Sequence, residues 1–118
     1  MMEKVLIIDD SAWRRGQIRD LFLNNKLAEC WESREGIEAV EKYRMLKPYL
    51  VIVRILDMLG VEIVKRIRAI NPDARILILS DSGNESYVGE AMRAGALEYL
   101  IEPVTPENLL ASAIRMIK

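Results

Sequence analysis

The 118-residue chain contains no histidine and a single cysteine, Cys30. Without imidazole there is no histidine ligand for zinc, no Ser-His pair and no side chain that ordinarily titrates near neutral pH. One cysteine cannot close an internal disulfide, and its place in an apparent strand makes it a buried thiol rather than a reactive one. No apolar run approaches the ~20 residues needed to cross a bilayer. The first strand begins almost at the N-terminus, which leaves no room for a signal peptide. Charge of one sign is also missing: 17 basic and 18 acidic residues give a formal net charge of −1. That balance gives no reason to expect nucleic-acid or membrane binding through bulk electrostatics. The small basic clusters, Arg14-Arg15 with Arg19 and Lys65-Arg66 with Arg68, fall in helical patterns and read as solvated faces. A reducing cytoplasm is the expected compartment.

What is present is a composition of 51% apolar and 30% charged residues, that of a single globular domain spanning 1–118. Val5-Leu6-Ile7-Ile8 is a wholly apolar run, as expected of a strand buried on both faces. Ser11 can cap a helix carrying Trp13, Ile18, Leu21 and Phe22 on its apolar side. Leu27 to Trp31 reads as a second, more exposed strand. Gly36 precedes a helix with Ile37, Val40 and Tyr43 inward, which Lys47-Pro48 ends. Tyr49 to Val53 is the most continuous β-branched apolar run in the chain and suits a central strand. After Gly60, the spacing of Ile63, Ile67 and Ile70 predicts an amphipathic helix. Ile76 to Leu79 forms a fourth strand, and a helix follows from about Glu85 to Ala94, with Val88, Ala91 and Met92 inward. Leu97 to Ile101 reads as a partly exposed fifth strand. Thr105-Pro106 opens a last helix with Leu109, Leu110, Ala113, Ile114 and Ile117 facing the core. Strand and helix thus alternate five times, which calls for a doubly wound α/β fold: a parallel sheet with helices on both faces.

Ligands of an open parallel sheet bind outside the carboxyl ends of its strands. Those ends hold Asp9-Asp10, Arg54, Ser80 and Glu102. Two adjacent carboxylates with a third opposite would suit a hard cation such as magnesium. An interposed guanidinium can instead satisfy those carboxylates itself, through bidentate hydrogen bonds.

At these residues the chain resembles a response-regulator receiver domain of two-component signalling. Val5 to Ser11 looks like the family's opening strand with its acidic pair. Lys47-Pro48-Tyr49-Leu50-Val51 resembles its third strand, Ser80 its hydroxyl switch position, and Gly95 to Pro103 its closing motif. The resemblance covers essentially the whole chain. It implies a flavodoxin-like three-layer sandwich with a five-stranded sheet in the order 2-1-3-4-5, five helices, and a place in phosphorelay signal transduction. It also implies a protein partner, either a histidine kinase or an output protein.

The family uses an acidic pair to hold Mg²⁺, an aspartate at the end of the third strand to accept phosphoryl, and a lysine before proline. A Ser or Thr and an aromatic residue then relay the change. Asp9, Asp10, Ser80 and Tyr99 match this pattern. Arg54 stands at the acceptor position, six residues after Pro48, and Glu102 stands at the lysine position. The loop Ile55 to Leu59 is shorter than is usual in the family. The expectation is a charge swap, with Arg54 in an ion-pair cluster with Asp9 or Asp10, Glu102 included, filling the metal's place. That makes the chain a degenerate pseudo-receiver: a protein-interaction module with no catalytic residue, no metal and no cofactor. The interaction face by resemblance is Tyr87, Met92, Arg93, Glu98 and Tyr99. The alternative is a working phosphotransfer receiver using a displaced carboxylate, Asp57, with Mg²⁺ at Asp9 and Asp10. A third reading is a regulatory domain cut from a larger protein.

Each residue also has a plainer role open to it. Asp9 and Asp10 suit the positive end of the first helix dipole, Arg54 can extend to solvent, and Glu102 and Asp57 can be solvated loop residues. Ser80 and Tyr99 can serve packing alone. Trp13, Met58 and Leu59 are expected near the pocket rim, as a binding patch or as ordinary surface.

Overall fold

The computed structural model describes residues 2–117. Five strands and five helices alternate: β1 Glu3–Ile8, α1 Ala12–Asn24, β2 Ala28–Ser33, α2 Ile37–Leu46, β3 Leu50–Arg54, α3 Met58–Ile70, β4 Ile76–Asp81, α4 Glu85–Arg93, β5 Glu98–Glu102 and α5 Pro106–Ile117. All neighbouring strands pair in parallel, in the order β2-β1-β3-β4-β5. The three strands with unbroken apolar runs, β1, β3 and β4, are the central ones. The two with interspersed charges, β2 and β5, form the edges.

Alternation along the strands sorts the core into two layers. Leu6, Ile8, Val51, Val53, Ile76 and Ile78 face one layer, where Tyr43, Ile63, Ile67, Val88 and Ala91 arrive from α2, α3 and α4. Val5, Ile7, Leu50, Ile52, Leu77 and Leu79 face the other, covered by Ile18 and Phe22 of α1 and by Leu109, Ala113 and Met116 of α5. The same parity carries past the last core residue of each strand. Asp9, Arg54, Asp81 and Glu102 fall on the α1/α5 side, and Ser80 on the side of α3 and α4.

Three expectations about helices are corrected. α3 starts at Met58, so Gly60 lies within its first turn rather than ahead of it. Ile37 is 77% exposed and Trp13 70% exposed, each in the first turn of its helix. In α5 the buried stripe is Leu109, Ser112, Ala113 and Met116, an i, i+3, i+4, i+7 set, while Ile114 is exposed. Ser112 hid that stripe. Its hydroxyl is satisfied by the Glu98 carboxylate at 3.0 Å, so a polar residue can occupy a core position.

Candidate functional site

The carboxyl ends of β1, β3, β4 and β5 converge, and a salt-bridged cluster forms there. Arg54 is the last residue of β3 and only 5% exposed. Its Nη1 donates to Oε1 of Glu102 at 2.5 Å, and its Nη2 donates to Oδ1 of Asp81 at 2.8 Å. Strand register explains the pairing: Arg54 lies opposite Leu79, and Asp81 lies opposite Glu102, all with the same parity. Burial acts most strongly on the guanidinium and would lower its pKa, but Glu102 and Asp81 outweigh it and the net shift is upward. Among the described residues Arg54 Nε has no hydrogen-bond partner.

The expected contact of Arg54 with Asp9 or Asp10 is therefore corrected. Arg54 does join Glu102, but its second partner is Asp81. Asp9, buried at the end of β1, is held by Arg14 in the first turn of α1: Nε to Oδ2 at 2.9 Å and Nη2 to Oδ1 at 3.1 Å. Asp10 is exposed and accepts the Glu35 backbone N–H at 3.0 Å. Arg14, expected on a solvated face, instead turns to the sheet. The available signal was its place three residues after the Ser11 cap, where a side chain can look back at the end of β1. Asp81 sits one residue past the switch serine, and strand parity alone would have placed it beside Arg54.

Ser80 is wholly buried, and its hydroxyl donates to the Ile55 carbonyl at 2.5 Å. Tyr99 is half-exposed on the edge strand β5. Glu98 points to the opposite side of the sheet, where Ser112 and Arg115 donate to it. Tyr87 and Met92 are half-buried against the α3/α4 core layer, and Arg93 is exposed and paired with Glu90 on its own helix. The five residues of the expected interaction face thus wrap the β5 edge rather than share one side of it. Asp57 caps α3: its Oδ1 accepts the Leu59 N–H at 2.9 Å. Met58 and Leu59 are exposed in that first turn. Trp13 lines a cleft of about 620 Å³ between α1 and the start of α5, with Arg14, Leu21 and Glu102 also on its wall.

Three of the loops above the sheet bring carboxylates within reach of Glu35, and their negative influence exceeds the positive one of Arg54. Burial, followed by the negative charges of Asp10, Asp57 and Asp9, pushes the Glu35 carboxyl up to about 7. Cys30, on β2, is half-buried, and loss of solvent pushes its thiol up to about 12, which keeps it protonated and unreactive.

The family model for the response regulator receiver domain matches residues 5–114. This chain belongs to that family. Among relatives, the receiver is 34% identical over 120 residues to the chemotaxis protein CheY of Thermotoga maritima, with all of each chain covered. It is 35% identical over 112 residues to CheY of Bacillus subtilis, covering 93% of each. Among solved structures, a receiver domain protein from Clostridium thermocellum superposes with a TM-score of 0.89 at 27% identity, covering 98% of this chain and 94% of that one. NtrX from Brucella abortus shares the fold, with a TM-score of 0.87 at 23% identity. The receiver covers 26% of the NtrX chain.

Proposed function

We propose that this receiver works as a protein-interaction module without aspartyl phosphorylation. The observation that supports the reading is the buried Arg54, held between Glu102 and Asp81 at the strand end to which the resemblance assigns the acceptor carboxylate. Arginine offers no carboxylate to attack phosphorus, and its positive charge opposes the metal that such a transfer needs. Glu102 replaces a cation that would neutralise an incoming phosphoryl group with an anion that repels it. The two changes are complementary, since the residues bond to each other. The chain is in this sense no enzyme, and its partner is a histidine kinase or an output protein. Recognition is assigned to the β5 edge with α4 and α5, around Tyr87, Met92, Arg93, Glu98 and Tyr99.

Brief incubation with acetyl phosphate and Mg²⁺ at near-neutral pH, read at once by intact-mass spectrometry, tests this. No gain of a phosphoryl mass is expected. A modified chain, with the group mapped to Asp57, would overturn the proposal and install a displaced acceptor in its place.

A further inference from the structure

Asp9 is 2% exposed, and protein groups give its carboxylate three hydrogen bonds. Arg14 sets the Nε and Nη2 edge of its guanidinium on the two carboxylate oxygens, at 2.9 and 3.1 Å. The Ser11 N–H donates to the same Oδ1 at 2.8 Å, and Arg15 Nη1 donates to the Asp9 backbone carbonyl at 2.5 Å. Asp10 has turned outward to the Glu35 N–H. The end of the neighbouring strand β3, from which a further carboxylate ligand would come, carries a guanidinium instead, that of Arg54, bonded to Glu102 and Asp81.

A hard divalent ion takes about six oxygen ligands at short range. Here one carboxylate is already bound in a bidentate fork, the other accepts a backbone N–H from the loop after β2, and the end of β3 supplies a cation where a third carboxylate would be needed. Among the described residues no group of three or more Asp, Glu, His or Cys side chains is set as metal ligands. The donor set does not fit the magnesium ion that the family resemblance implies.

We infer that Arg14 is the resident counter-ion of this pocket: its guanidinium holds the place of a divalent cation on Asp9 and excludes Mg²⁺. The pocket is then kept in shape by a charge built into α1 rather than by a bound ion. The inference concerns the metal position and is read by Mg²⁺ binding, not by phosphoryl transfer. The fork geometry matters less than the charge, because it is like-charge repulsion that keeps a second cation out. A purely structural Arg14–Asp9 pair would change stability when broken but leave cation affinity where it was.

The test is Mg²⁺ titration of the chain in a Trp31→Phe background, where Trp13, exposed beside Arg14, is the one indole left to report. The parent is expected to show no saturable change at millimolar Mg²⁺. Arg14→Gln, which keeps a donor but removes the charge, is expected to bind roughly thirtyfold tighter. That factor follows from relieving a divalent ion of one like charge at about 4 Å in water. It should also gain thermal stability with added Mg²⁺, as linkage requires. Arg14→Lys keeps the charge without the fork and is expected to exclude the ion as the parent does. Saturable Mg²⁺ binding by the parent as tight as by Arg14→Gln, or no gain in a folded Arg14→Gln, would overturn the inference. Should Arg14→Gln be unfolded without metal, Mg²⁺ must restore the fold, and failure to restore it counts equally against. A phosphoryl mass gain in the acetyl phosphate experiment would sink the interaction-module reading, whereas this inference stands or falls on the Mg²⁺ titration of the parent and of Arg14→Gln.

Discussion

At the residue scale the telling side chain is Arg54. A permanent cation lies at the end of a central strand with almost no solvent contact, and two charge-assisted hydrogen bonds offset its lost hydration. Because Glu102 and Asp81 are themselves partly exposed, each can fall back on water if the arginine is removed. Replacing it with an anion is worse. Arg54→Asp would set three carboxylates against one another, and the expected loss is about 3–5 kcal/mol, as when a buried charge loses its partner. Adding Glu102→Lys should return a large part of that loss, since the opposite charges then face each other again. Urea unfolding of both single variants and the double variant measures the coupling. Purely additive losses would show that the pair does not act as a unit. Arg54 and Glu102 were both legible in the sequence as strand-end residues. Arg14 and Asp81 were not, because composition and periodicity place a charge on a helix or in a turn without saying which way it looks.

At the scale of elements, the loop after β3 sets how α3 sits on the sheet. Asp57 caps the helix, and Gly60, in its first turn, passes close over Ile55 and the end of β3. A Cβ at Gly60 would lie 2.7 Å from Ile55 Cδ1 and 3.3 Å from both the Arg54 carbonyl oxygen and Ile55 Cα. Alanine brings a helix-propensity gain of about 1 kcal/mol, against an overpacking cost of about 1–3 kcal/mol. Gly60→Ala is therefore expected to lower the thermal midpoint. Ile55→Val, which removes the clashing methyl, should reduce that penalty in the double variant, and a Gly60→Ala protein more stable than its parent would contradict the close approach. Strand identities and order were readable because unbroken β-branched runs mark buried strands and charges mark edges. The inward faces of helices were less so. Apolar Ile37, Trp13 and Ile114 suggested burial, yet helix-end geometry and the satisfied Ser112 decided the stripes instead.

Across the whole molecule, the loops over the carboxyl edge gather more negative charge than Arg14 and Arg54 balance, and Glu35 registers it. Its carboxyl ordinarily titrates at 4.5 and is raised to about 7 in the fold. Between those values the folded chain retains a proton that the unfolded chain has released. This group's contribution to stability is therefore greatest below pH 4.5, falls as pH rises to about 7, and is level beyond. Glu35→Gln should remove that slope and be the more stable protein above pH 7, by on the order of 1 kcal/mol once solvent screening is allowed for. Parallel stability curves from pH 4.5 to 7 for the two proteins would rule the effect out. Nothing in the linear order of residues announces such a cluster, since Asp10, Glu35 and Asp57 meet only when three loops are stacked by the sheet. The ion pair at the end of β3 has one more consequence. An aspartyl phosphate hydrolyses, and its lifetime is a clock that lets a signal end. A guanidinium bonded to a glutamate does not expire. If the proposed interaction module is right, its signal has no such clock, and the amount of the protein, set by synthesis and proteolysis, becomes a quantity through which a cell can set its output.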